Sequence, residues 1–141
     1  MTAPEPAGVR PRRVVLVSLG AAAPGEALLD GVRRLRADGA RIHLVSRVPP
    51  AAALATAVDD VVAVGRPGGE PLAAGRLTID PHRLPGALAL VGGRRTRRLV
   101  READVLVAVD AAALPAVWWA ARVNHGALAV NGLPAALARL G

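Results

Sequence analysis

One acid in this chain stands where a parallel sheet presents its ligands. Asp110 ends the short run Val105-Leu106-Val107-Ala108-Val109 and precedes an uncharged segment that reaches Arg122. A strand followed at once by an apolar helix is half of a βαβ unit, and an acid at that junction either caps the helix or meets a ligand. A second candidate is the stretch Ser18 to Gly25, SLGAAAPG, which follows another apolar run. Its backbone amides, together with the start of the next helix, are placed to cradle an anion. Ser18, Gly20 and Gly25 are its candidate ligand-binding residues, and Arg47, just after the second strand, is a cation that can meet a phosphate or simply face water. Arg94, Arg97, Arg98 and Arg101 share a helical face by their spacing and form the densest charge cluster. That face is either solvated or an anion-binding patch.

Other chemistries are excluded or disfavoured by what is missing. GAAAPGE is neither G-x-G-x-x-G nor a Walker loop, because the glycine spacing is wrong and no lysine follows. Nicotinamide and ATP binding by those fingerprints are therefore set aside. The chain has no cysteine, so it has no thiolate nucleophile, thiolate metal ligand or disulfide. His43, His82 and His125 fall on different elements without metal-type spacing. No serine–histidine–acid constellation can be assembled. A phospho-acceptor receiver would need an acid pair after the first strand, where this chain has Gly20 and alanines. No metal and no cofactor is expected.

The elements that position these residues follow from periodicity. Met1 to Pro11 holds three of the prolines and reads as a flexible arm; residues 12–141 read as a single domain. Val14 to Val17 is continuously apolar, as in a central strand buried on both faces. Leu28, Leu29, Val32 and Leu35 give one helical stripe over Glu26 to Ala37. Arg41 to Ser46 alternates as a strand, with Ile42 and Leu44 on one face and His43 and Val45 on the other. His43 reads as a mid-strand packing or surface residue. A short helix after Pro49-Pro50, a strand at Val61 to Val64 and a Gly/Pro-rich loop from Gly65 to Gly75 follow. Leu77 to Ile79 is a further short strand candidate. Leu84 to Leu99 reads as a helix in two pieces or kinked, because of Gly86 and Gly92-Gly93. After the Asp110 unit come a turn at Asn124 to Gly126, a strand at Ala127 to Val130, a turn at Asn131-Gly132 and a closing helix from Leu133 to Leu140. The alternation predicts an α/β fold, a three-layer Rossmann-like domain with a mostly parallel sheet of about five to six strands.

Charge and composition bound the partners. The net charge is +7 and all 18 Lys/Arg positions are arginine. The arginine bias and abundant alanine look like a GC-rich genome, and arginine inflates the pI of about 11.7. The balance still favours anionic partners, with a phosphate-bearing ligand as the expected kind. Trp118 and Trp119 are the only aromatic rings of the types that stack bases well, so nucleic acid is not an expected partner. These two residues sit about 100° apart on a helix. They are candidate interface residues for a homo-oligomer or a partner protein, unless both rings fit beneath neighbouring loops. No signal peptide is read in MTAPEPAGVRPRR, and the uncharged runs fall short of the roughly 18 residues that a membrane span needs. A cytoplasmic protein is the expectation.

Two segments resemble a known family. VVLVSLG…PGEALLDGVRRLRADGARIHLVSR resembles the opening strand, glycine loop, helix and second strand of GT-B-fold glycosyltransferases. ADVLVAVDAAALPAVWWAAR resembles a segment that these enzymes carry around their fourth strand. The resemblance covers most of the chain and implies the N-terminal, acceptor-side Rossmann-like half of such an enzyme. Many members carry a histidine near the end of the fourth strand; here Val107 and Val109 take the neighbouring positions. The resemblance thus implies a glycosyltransferase-like half-domain; with the uncharged Trp118/Trp119 helix beside it, the expected role is non-catalytic alone, as an oligomeric or accessory binding subunit. The alternatives are a subunit of a split nucleotide-sugar-dependent glycosyltransferase, and an arginine-rich anion- or nucleic-acid-binding protein.

Overall fold

The computed structural model describes residues 10–20, 23–64 and 94–140. The strand expected at Leu77 to Ile79, the helix start at Leu84, the loop from Gly65, His82 and most of the N-terminal arm lie outside the described residues. The elements are β1 (Arg13–Ser18), α1 (Leu29–Ala37), β2 (Arg41–Ser46), α2 (Ala52–Ala57), β3 (Asp60–Ala63), α3 (residues 94–102), β4 (Val105–Ala108), α4 (Leu114–Val123), β5 (Leu128–Asn131) and α5 (Leu133–Leu140). All strand pairs are parallel, and the sheet order is β3-β2-β1-β4-β5. This is the expected three-layer Rossmann-like α/β fold, with five strands among the described residues.

The continuous apolar run of β1 is explained by its central position. Val14 and Leu16 enter a core shared with Val32, Leu35, Leu54, Leu133 and Ala136, which come from α1, α2 and α5. Val15 and Val17 enter the opposite core, with Val100, Ala116, Val117 and Ala120 from α3 and α4. Each of these buried Leu and Val side chains stabilises the fold by roughly 1.5–3 kcal/mol relative to an exposed one. β2 alternates as its sequence demands. Ile42 and Leu44 face the α1 side, and Val45 faces the other.

Register at the amino edge of the sheet is set by two aspartates used in the same way. Asp104, just before β4, donates its N–H to the Arg13 carbonyl (2.9 Å) and accepts the Arg13 N–H on its carboxylate (2.9 Å). Asp59, just before β3, donates to the Ile42 carbonyl (2.9 Å) and accepts the Ile42 N–H (2.8 Å). Each acid closes the first rung of its strand pair with its side chain, so a slip by one residue would break the pairing. Arginines complete both carboxylates: Arg10 on Asp104 at 3.0 Å and Arg36 on Asp59 at 3.2 Å.

α3 continues to residue 102, beyond the Leu99 boundary expected from the sequence. Its end is held by a side chain from afar. The Asn124 amide donates to the carbonyls of Val100 (2.8 Å), Arg101 (3.1 Å) and Ala103 (2.9 Å), which a helix end leaves without backbone partners. On the other face of the sheet, α1 and α5 touch at a glycine. A Cβ on Gly31 would lie 2.2 Å from Leu133 Cδ2 and 2.8 Å from its Cγ, and Leu133 is itself buried.

Gly31→Ala should therefore destabilise the protein by about 1–3 kcal/mol, because the overlap outweighs the better helix propensity of alanine. Urea unfolding checks this. Adding Leu133→Ala should cost less in the Gly31→Ala background than in the parent, a coupling that only direct contact produces. The Arg13 N–H, with Arg10 and Arg13 nearby, holds the Asp104 carboxyl below its ordinary value of 3.8. A lowered folded-state pKa gives stability that is present above 3.8 and is lost as pH falls through the folded value. Acid titration of unfolding should show Asp104→Asn losing less stability than the parent below about pH 4.

Candidate functional site

Strands β2 and β3 lie on one side of β1, and β4 and β5 on the other. The chain direction across the sheet therefore reverses between β1 and β4, and the loops leaving their carboxyl ends form the crevice where such folds take ligands. β1 leaves through Ser18, Leu19 and Gly20; β4 leaves through Val109 and Asp110. The Val109 N–H donates to the Val17 carbonyl at 2.9 Å, which carries the pairing of β1 with β4 up to this rim.

Asp110 is the centre of the rim. Its backbone is extended (φ −137°, ψ 169°), as an N-cap requires, and its Oδ1 accepts the Ala113 N–H at 3.0 Å. Pro115 in the first turn of α4 needs no such partner. The same carboxylate also reaches across to the loop after β1. Ser18 Oγ donates to Oδ2 at 2.9 Å, the Gly20 N–H to Oδ2 at 3.0 Å, and the Leu19 N–H to Oδ1 at 3.3 Å. The amides of Leu19 and Gly20, read from the sequence as a cradle for an external anion, thus hold an internal one. Gly20 is a close fit at this spot, since a Cβ there would stand 3.1 Å from Asp110 Oδ2, tighter than an ordinary contact.

The structure thus brings Ser18, Gly20 and Asp110 together. Arg47 lies on the neighbouring rim: its N–H donates to the Ser18 carbonyl at 3.0 Å, and its side chain is exposed. Gly25 is more remote. It precedes the short 3₁₀ turn Glu26–Leu28, is exposed, and has no group within 4 Å of where a Cβ would be. The loop is tied to the start of α2 through the Ala51 N–H and the Pro24 carbonyl at 3.4 Å.

The other sequence candidates lie on the α3 and α4 layer. On α4, Ala116, Val117 and Ala120 face the core, whereas Trp118 is 56% and Trp119 40% exposed. Neither ring is covered as a core residue would be, so this helix is not enclosed on all sides. On α3, Arg94, Arg97, Arg98 and Arg101 are all exposed and line a shallow depression of about 390 Å³ with Glu102. Arg98 pairs with Glu102 at 3.1 Å, and Arg13 pairs with the same carboxylate. The hydrogen bond from Arg98, helped by the charge of Arg13, holds the Glu102 carboxyl below its ordinary range.

A further cluster was not legible in the sequence. Asp60 opens β3 and is paired with Arg95 of α3; its Oδ2 is also 4.0 Å from His43 Nδ1. That buried nitrogen has no hydrogen-bond partner among the described residues. His43 is half-buried on β2, as its mid-strand position implied. No group of three His, Asp or Glu residues that could hold a metal occurs among the described residues. No helix among them is long and apolar enough to cross a membrane.

No protein-family model matches the chain, and no curated protein matches it. Among solved structures, it is similar to the glycotransferase of kitacinnamycin, with a TM-score of 0.50 and 20% identity. That match covers 86% of this chain and 30% of that one, so the chain spans under a third of that protein's length. At such identity the likeness is one of fold. A second match, to AnUbiX (PadA1) in complex with FMN and dimethylallyl pyrophosphate, has a TM-score of 0.41 and 18% identity over 85% of this chain and 77% of that one. Its superposition is too loose to bear on the site.

Removing the Asp110 carboxylate strips one helix cap and three loop contacts together. Asp110→Ala should cost about 2–4 kcal/mol in chemical unfolding. Ser18→Ala, which removes one donor and leaves three, should cost about 1.5 kcal/mol, the low end for a bond to a charged acceptor.

Proposed function

We propose that this chain is a glycosyltransferase-type Rossmann-like domain, of the GT-B N-terminal kind, that binds and assembles but does not transfer sugar by itself. The observation that carries this reading is the engagement of Asp110. A general base must offer a free lone pair to the proton it removes. The Asp110 carboxylate already accepts from Ser18, Leu19, Gly20 and Ala113. It is the acid at the switch point, and it serves there as a brace. The sheet order and the fold likeness to a sugar-transferring enzyme support the type of domain.

The assembly half of the reading rests on α4. Two adjacent tryptophans at 56% and 40% exposure carry more apolar area than a free surface helix usually presents. Tryptophan is also the residue most enriched among those that dominate interface energies. Val123, half exposed one turn beyond Trp119, extends the same apolar flank.

Two measurements test the reading. Incubation of the purified chain with a panel of nucleotide sugars should give neither transfer nor donor hydrolysis; turnover by the chain alone, abolished by Asp110→Asn, would overturn the non-catalytic part. Light scattering after size exclusion should give a multimer at micromolar concentration that Trp118→Ser with Trp119→Ser dissociates. A strict monomer would overturn the assembly part.

A further inference from the structure

The arginine face of α3 has no task in the site at the strand ends. Of its four arginines, Arg98 is paired with Glu102, whereas Arg94, Arg97 and Arg101 make no ion pair among the described residues. Three unpaired guanidinium groups on one face repel one another, a destabilising arrangement that an anion would relieve. The face is also concave. All four arginines and Glu102 border one depression of about 390 Å³, within the size range of small-ligand sites. Arg94 and Arg101 are seven positions apart, so the row of charge is about 10 Å long. The one acid on its border is neutralised by Arg98 and by Arg13 at the sheet edge.

We propose that this depression binds a compact, phosphate-dense anion, a ligand that presents two or three linked phosphates within the length of the arginine row. Guanidinium forks match phosphate oxygens two at a time, so alternate arginines along the row can each take one phosphate. Among the described residues the lining is arginine and a single glutamate, with no aromatic ring on which a base would stack. The site therefore reads charge density, and its concavity fits a short oligophosphate better than an extended strand. This site is distinct from the Asp110 rim, and it stands whether or not the glycosyltransferase-type reading does.

Isothermal titration calorimetry of the full chain with sodium tripolyphosphate, at about 50 mM salt, tests this. Saturable one-to-one binding is expected, weakening steeply as salt rises. Arg97→Ala with Arg101→Ala should weaken it about tenfold or more, since both lost contacts are charge-assisted. Glu102→Gln should tighten it, by freeing Arg98 and removing a negative charge from the border. Arg33→Ala with Arg34→Ala, exposed on α1, should leave it unchanged. Circular dichroism of each variant separates lost binding from lost fold. Absence of tripolyphosphate binding, or binding that the Arg97/Arg101 variant leaves intact, would overturn the proposal. So would weakening by Glu102→Gln, or a DNA duplex of equal charge binding this face in preference.

Discussion

The carboxyl end of this sheet depends on one carboxylate. Asp110 joins three things that would otherwise be independent: the end of β4, the first turn of α4 and the loop that leaves β1. Its donors are two loop amides, one helix amide and a serine hydroxyl, all within 3.3 Å. Hydrogen bonds to a charged acceptor are worth about 1.5–3 kcal/mol each, more than neutral ones. Once such an anion is fixed between the loops, their geometry is fixed with it. Gly20 then packs closely, because a Cβ there would press on the carboxylate to which its own N–H donates. A nest of amides that other folds offer to phosphate is here occupied from within.

The amino end is built by the same logic with different residues. Asp59 and Asp104 each replace a missing strand partner with a side chain and are each steadied by an arginine. Acids are thus spent on internal register and capping. The consequence appears in the electrostatics. With a net charge of +7, the acids placed in structural roles leave arginines such as Arg47, Arg94, Arg97 and Arg101 exposed and without an ion pair among the described residues. The positive surface is therefore partly a by-product of how the sheet edges are closed.

What could be read from the sequence was whatever a short window determines. The uninterrupted apolar β1, the alternating β2 and the stripe of α1 each carry their own periodicity, so the parallel α/β fold was legible. Asp110 was legible as an acid at a strand end, and the choice between capping and ligand contact was properly posed. Its second set of bonds was not, because Ser18 and Gly20 lie some 90 residues away and no local pattern records the pairing. The end of α3 was missed for the same reason. Local propensity placed it near Leu99, but Asn124 caps carbonyls out to Ala103 across the fold. The contact of Gly31 with Leu133 is equally silent in sequence, where a glycine inside a helical stripe reads only as a weakness.

Packing also decides which surfaces are left to recognise anything. β1 and β4 are buried on both faces, and the rim above them is braced by an internal anion. The layer of α3 and α4 covers one side of the sheet through Val100, Ala116, Val117 and Ala120, all small or branched residues. A helix that satisfies its core with small side chains must carry its large ones outward or on its flanks, and on α4 these are Trp118 and Trp119. α3 likewise buries Thr96 and Val100 and turns its arginines outward. The apolar and the cationic surfaces therefore fall on the same layer because the core beneath it is made of small residues. The exposed tryptophans and the exposed arginines thus share the outer face of α3 and α4, while the strand-end rim is braced from within.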